Sequence, residues 1–112
     1  MGRIEQLMQF VEQNPGDPFP RYGLAMELKN GGRLEEAERA FDELVRRFPD
    51  YTPAYLHAGG VLVAQGKRDE AKDVYRAGIE ACARRRPPDG HAQGELMAAL
   101  DALESGDEDV QP

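Results

Sequence analysis

The chain has 112 residues, of which 40% are hydrophobic and 31% charged, and a formal net charge of -7. A chain of this length builds one domain around one core, too small for a large enclosed active site, and its acidic balance argues against nucleic acid, whose phosphates require a basic surface. Without an apolar run of about 18 residues no membrane insertion is expected, and the single cysteine, Cys82, excludes an internal disulfide or a thiolate metal cluster.

Helical periodicity organises the chain from its start. Ile4, Leu7, Met8 and Val11 fall on one stripe, which stops at Asn14-Pro15-Gly16. Asp17-Pro18 then supplies a capping acid and a first-turn proline to a second helix, which runs to Asn30-Gly31-Gly32. A third helix spans about Leu34 to Arg47 and ends before Pro49. At Thr52-Pro53 the cycle restarts with a cap and a proline, followed by a helix to Gln65-Gly66 and another from Arg68 to about Arg85. A last helix opens at Pro88-Asp89-Gly90 and carries Leu96, Met97, Leu100 and Leu103 at helical spacing. The acidic stretch 106–112 lacks a pattern and is expected to be disordered. No segment alternates apolar and polar residues over strand length, so the chain is predicted to be all-α, with six helices. Its short loops make consecutive helices antiparallel.

Within this order the chain repeats itself. GGRLEEAERAF at 31–41 returns as QGKRDEAKDVY at 65–75, an offset of 34 residues. Gly32, Glu36 and Ala37 meet Gly66, Glu70 and Ala71, and Phe41 meets Tyr75. A helix-turn-helix period of this length resembles the tetratricopeptide repeat family. The matching residues are the turn glycines Gly32 and Gly66, the small residues Ala37 and Ala71, the aromatics Phe41 and Tyr75, and the terminal Pro49. Leu24-Ala25 and Ala58-Gly59 stand where the family prefers a leucine-glycine pair. Arg21 departs from its usual tryptophan, a position that Tyr55 fills in the second repeat, and Ala83 replaces a second terminal proline, so that helix is expected to run longer. The resemblance implies a short right-handed α-solenoid of antiparallel helix-turn-helix repeats. Its expected boundaries are one domain over 1–105, with an N-terminal helix at 3–14, repeats at 18–51 and 52–85, and a capping helix at 89–105.

The same resemblance implies a concave groove lined by the first helix of each repeat: Phe19, Tyr22, Met26 and Lys29 from one, Pro53, Leu56, Gly60 and Val63 from the other, with His57 at its rim. Family members that clamp a terminal carboxylate carry lysines and asparagines at such positions. Tyr22, Met26, Leu56 and Gly60 stand there instead, so an apolar or amphipathic peptide segment is the expected ligand. The competing expectation is that the last helix folds back and fills the groove through Leu96, Met97 and Leu100.

Chemistry-bearing residues are few. His57 reads as a packing or hydrogen-bonding residue, and His91 with Glu95 makes two ligands without a third, too few for a metal site. Cys82 reads as a small packing residue. Glu35-Glu36 and Asp69-Glu70 sit in first turns, where acids favour the helix dipole, and Arg84-Arg85-Arg86 stands at a helix end, where cations do. The glycines lack the spacing of a phosphate loop. No catalysis and no cofactor are expected. The expected role is a protein-binding adaptor, scaffold or assembly factor in the cytoplasm, with a homodimer or an accessory subunit of an enzyme complex as alternatives.

Overall fold

The computed structural model describes residues 2–110, with side chains through position 106. Six helices follow one another, α1 (Arg3–Gln13), α2 (Pro18–Asn30), α3 (Leu34–Arg47), α4 (Pro53–Ala64), α5 (Arg68–Arg84) and α6 (Gly90–Val110), and no strand occurs among the described residues. The starts of α2 and α4 follow local chemistry at their prolines. Asp17 caps α2 by accepting from the Phe19 amide at 3.0 Å, and prolines occupy the first turns of α2 and α4.

Both tight corners are built alike. Gly32 and Gly66 adopt φ of 76° and 78°, a left-handed conformation that a side chain would strain. The following amides of Arg33 and Lys67 reach back to the carbonyls of Leu28 and Leu62, each at 2.9 Å. Beyond each corner the acids Glu35 and Glu36, or Asp69 and Glu70, occupy the opening turn of the next helix.

Packing follows chain order, each helix lying against its neighbours. One core gathers Ala25, Leu28, Ala37, Phe41, Leu44, Ala54, Ala58 and Val61 between the first pair of repeated helices and α4. A second gathers Tyr55, Leu62, Ala71, Tyr75, Ala81, Cys82, Leu96 and Leu103 between α4, α5 and α6. Ala37 and Ala71 are fully buried, as close helix approach requires, and Phe41 and Tyr75 fill the space beside them. Polar bonds tie one unit to the next: Gln65 and Lys67 each donate to Glu38 at 2.8 Å, and Tyr55 donates to the Pro49 carbonyl at 2.6 Å. Arg84 pairs with Asp50 at 3.0 Å, so the basic cluster at the end of α5 is engaged within the chain. The result is an elongated body of 51 × 34 × 18 Å. Its radius of gyration, 14.7 Å, exceeds the value of about 13 Å for a globule of this length, as a stacked solenoid should.

Two expectations are corrected. Thr52 does not cap α4; its backbone is already helical, and its buried hydroxyl donates to Asp89 Oδ2 at 2.7 Å. Asp89 in turn caps α6 by accepting from the Ala92 amide, and the Thr52 bond, then that amide, hold its carboxyl below the usual range. The acid-rich stretch expected to be disordered from 106 instead continues α6 to Val110. Residues 106–110 contain no proline, and Arg68 binds the Leu103 carbonyl at 3.0 Å just before them. Residues 111 and 112 lie outside the described residues.

Candidate partner-binding groove

Three helices, α2, α4 and α6, share one side of the stack. Between them lies a concavity of about 290 Å³ that brings together Tyr22 from α2, Pro53, Leu56 and His57 from α4, and Ala92 and Glu95 from α6. Thr52 and Leu96 close its floor. Four of the nine residues expected to line the groove thus meet in one hollow. Met26, Lys29, Gly60 and Val63 continue along the same helices, half-buried, and Phe19 stands outside it, 67% exposed at the start of α2.

The aromatic and polar groups of the hollow form a small network. Tyr22 lies edge-on to Tyr51, with ring centroids 5.5 Å apart, and tilts against the His57 ring at 6.0 Å. Lys29 Nζ donates to His57 Nδ1 at 3.1 Å, which leaves the proton of a neutral imidazole on Nε2. Burial pushes the His57 pKa down, and the Lys29 ammonium pushes the same way, against a weaker pull from Glu95. A neutral histidine beside a fixed lysine can donate and accept hydrogen bonds without adding charge to an apolar surface. Burial also raises the Tyr22 hydroxyl above its ordinary range, so it remains a phenol, able to donate.

The expectation that α6 fills the groove does not hold. Leu96 is 1% exposed within the core formed with α4 and α5, and Met97 points away, 55% exposed. Helix α6 is the third wall of the hollow. What places it there is Gly78 on α5, where a Cβ would come within 2.6 Å of Tyr55 Cβ and 2.9 Å of Leu96 Cδ1. Sequence reasoning missed Ala92 and Glu95 because the 34-residue register was not carried forward into α6, although Ala92 and Leu96 stand 34 residues after Ala58 and Leu62. A second signal was Gly78, a glycine in mid-helix that helix propensity alone disfavours.

No group of three histidine, cysteine or acidic residues suited to a metal occurs among the described residues, and His91 meets only Glu95, at 3.4 Å. Cys82 is buried, and that burial raises its thiol above the usual range. No described helix is long and apolar enough to cross a membrane.

Comparison with known proteins agrees with the repeat geometry. The sequence profile of the tetratricopeptide repeat family matches residues 28–100. A tetratricopeptide repeat domain protein from Salinibacter ruber is 35% identical, with a TM-score of 0.73 over 81% of this chain and 90% of that one. PcrH, solved in complex with the chaperone binding region of PopD, superposes with a TM-score of 0.82 at 14% identity, over 93% of this chain and 77% of its own. The type III secretion translocator chaperone SycD of Yersinia enterocolitica gives a TM-score of 0.82 at 15% identity, covering 94% and 72% of the two chains. The last two likenesses are likenesses of fold. No curated protein matches in sequence. With the profile spanning more than half of its length and a relative above 30% identity, the chain belongs to the tetratricopeptide repeat family.

Proposed function

We propose that the chain is a non-catalytic protein-protein interaction module, an adaptor, scaffold or assembly factor, that binds an apolar or amphipathic peptide segment between α2, α4 and α6. The observation that carries this reading is the hollow over Tyr22, Pro53 and Leu56, apolar side chains left open to solvent although two complete cores lie beneath them. Solved relatives of the fold support it, since PcrH was solved with a bound region of PopD. In this mechanism the partner buries apolar side chains against Tyr22, Leu56, Met26 and Val63, while Lys29 and His57 meet its polar atoms at the rim. Each well-buried apolar side chain contributes roughly 1.5–3 kcal/mol, offset by association and ordering costs, which gives affinity in the micromolar range.

A second reading, self-association into a homodimer, draws on Phe19 and Met97, both more than half exposed. Affinity capture from native lysate, comparing the wild type with a Tyr22→Ala/Leu56→Ala variant, tests the first reading. Partners retained by the wild type and lost by the variant are expected, and identical retention would end the groove assignment. Sedimentation of the same samples at low and high concentration decides the second, which a strictly monomeric protein rules out.

A further inference from the structure

His57 stands where three helices meet in the α2–α4–α6 hollow, and its two flanking groups carry opposite charges. From α2, Lys29 Nζ lies 3.1 Å from His57 Nδ1. An ammonium has hydrogens to give and no lone pair to accept with, so this bond exists only while Nδ1 is unprotonated. From α6, Glu95 lines the same hollow, and its charge acts on the ring against that of Lys29. Tyr22, tilted against the ring at 6.0 Å, completes the α2 side, and burial keeps its hydroxyl protonated. Beside Glu95, His91 shares the carboxylate at 3.4 Å.

A proton cannot be added to this arrangement without breaking it. Protonation turns Nδ1 from acceptor into donor, so Lys29 would face a donor with a donor and a cation with a cation. Lys29, on a flexible four-carbon stem, is the group that leaves for solvent. The Glu95 carboxylate, its side chain 48% exposed, supplies the acceptor and the charge that an imidazolium requires.

We propose that His57 is a pH-operated latch that exchanges helices: neutral, it is bound to Lys29 of α2 and leaves the hollow open; protonated, it releases Lys29 and pairs with Glu95 of α6 across the hollow. The consequence for binding rests on reading that hollow as the partner site. A segment lying between Leu56 and Ala92 is held at neutral pH and expelled in acid. Burial and Lys29 both oppose protonation of the ring more than Glu95 favours it, so the exchange falls below the ordinary histidine value of about 6.5.

The test is an NMR titration from about pH 8 to pH 5 of the His91→Asn chain, in which His57 is the single histidine and its competitor for Glu95 is gone. Above the midpoint, nuclear Overhauser contacts from the Lys29 methylenes to an Nε2-protonated ring are expected. Below it those contacts vanish and contacts from the Glu95 methylenes replace them, while the Leu56 and Ala92 methyl resonances titrate with the same midpoint. Glu95→Gln, an exposed change that leaves the fold intact, lowers the midpoint by at least about 0.5 pH and abolishes the Ala92 step. A midpoint that Glu95→Gln leaves unchanged, Lys29 contacts that persist below it, or an Ala92 methyl indifferent to pH would overturn the proposal. None of these signals requires a ligand, so the latch stands or falls separately from the Tyr22→Ala/Leu56→Ala capture that tests the groove.

Discussion

Gly59 and Tyr75 illustrate how a single position is decided. A Cβ at Gly59 would lie 2.1 Å from Tyr75 Cε1, and the ring, 5% exposed in the core, has nowhere to move. The preceding repeat accommodates Ala25 against Phe41 at the same positions, so the longer tyrosine requires the smaller neighbour. Gly59→Ala is therefore expected to destabilise by about 1–3 kcal/mol through overpacking, although alanine favours the helix by up to about 1 kcal/mol. Urea denaturation measures the difference, and a gain in stability would show that the ring adapts. His57 carries the pH dependence at this scale. Its folded pKa is depressed by burial and by Lys29, so it opposes protonation in the native state. The associated stability is present above the ordinary histidine value of about 6.5 and is lost as pH falls from there through the folded pKa. An NMR titration should place the His57 midpoint below that value, and Lys29→Met should raise it. A midpoint that does not respond to Lys29→Met would show that the 3.1 Å contact is not maintained in solution. Neither the Gly59 contact nor the Lys29–His57 bond is written in the residues themselves, because each depends on how closely two helices approach.

Among the elements, α6 separates what could be read from what could not. Its apolar spacing and its opening at Asp89-Gly90 were legible, because period and breaker residues act locally. Its partners were not. Leu96 and Leu103 enter the core of α4 and α5, whereas Met97, which shares the same apolar pattern, stays exposed. Periodicity identifies a stripe on a helix, but the angle at which the helix is laid down decides which edge of that stripe is covered. Leu96→Ala is accordingly expected to cost about 2–5 kcal/mol. Chemical denaturation followed by circular dichroism checks this, and a loss below about 1 kcal/mol would mean that α6 is only loosely attached. Thr52 teaches the same lesson. Its place before Pro53 reads as a cap, yet its hydroxyl is taken by Asp89, 37 residues away, because that carboxylate is brought alongside only by stacking.

For the whole molecule, stacking order is the organising fact, as each unit packs on its neighbours and the two cores follow one another along the body. Such a body has two long faces. One bears the hollow of Tyr22, Leu56 and Ala92, and the other bears a slot over Phe41 and Ala58. Phe19 shows the limit of register alone, since it belongs to the groove set by spacing but stands outside the hollow at the start of α2. By itself the sequence determined the six helices, the glycine turns at Gly32 and Gly66, and the 34-residue stacking unit, because breaker residues, caps and helical periodicity are interactions among near neighbours in the chain. Only the tertiary structure decided that α6 walls the groove without filling it, and that Leu96 is buried while Met97 is exposed. Both depend on distances between helices, and those are set by side-chain volumes that meet only once the chain is stacked.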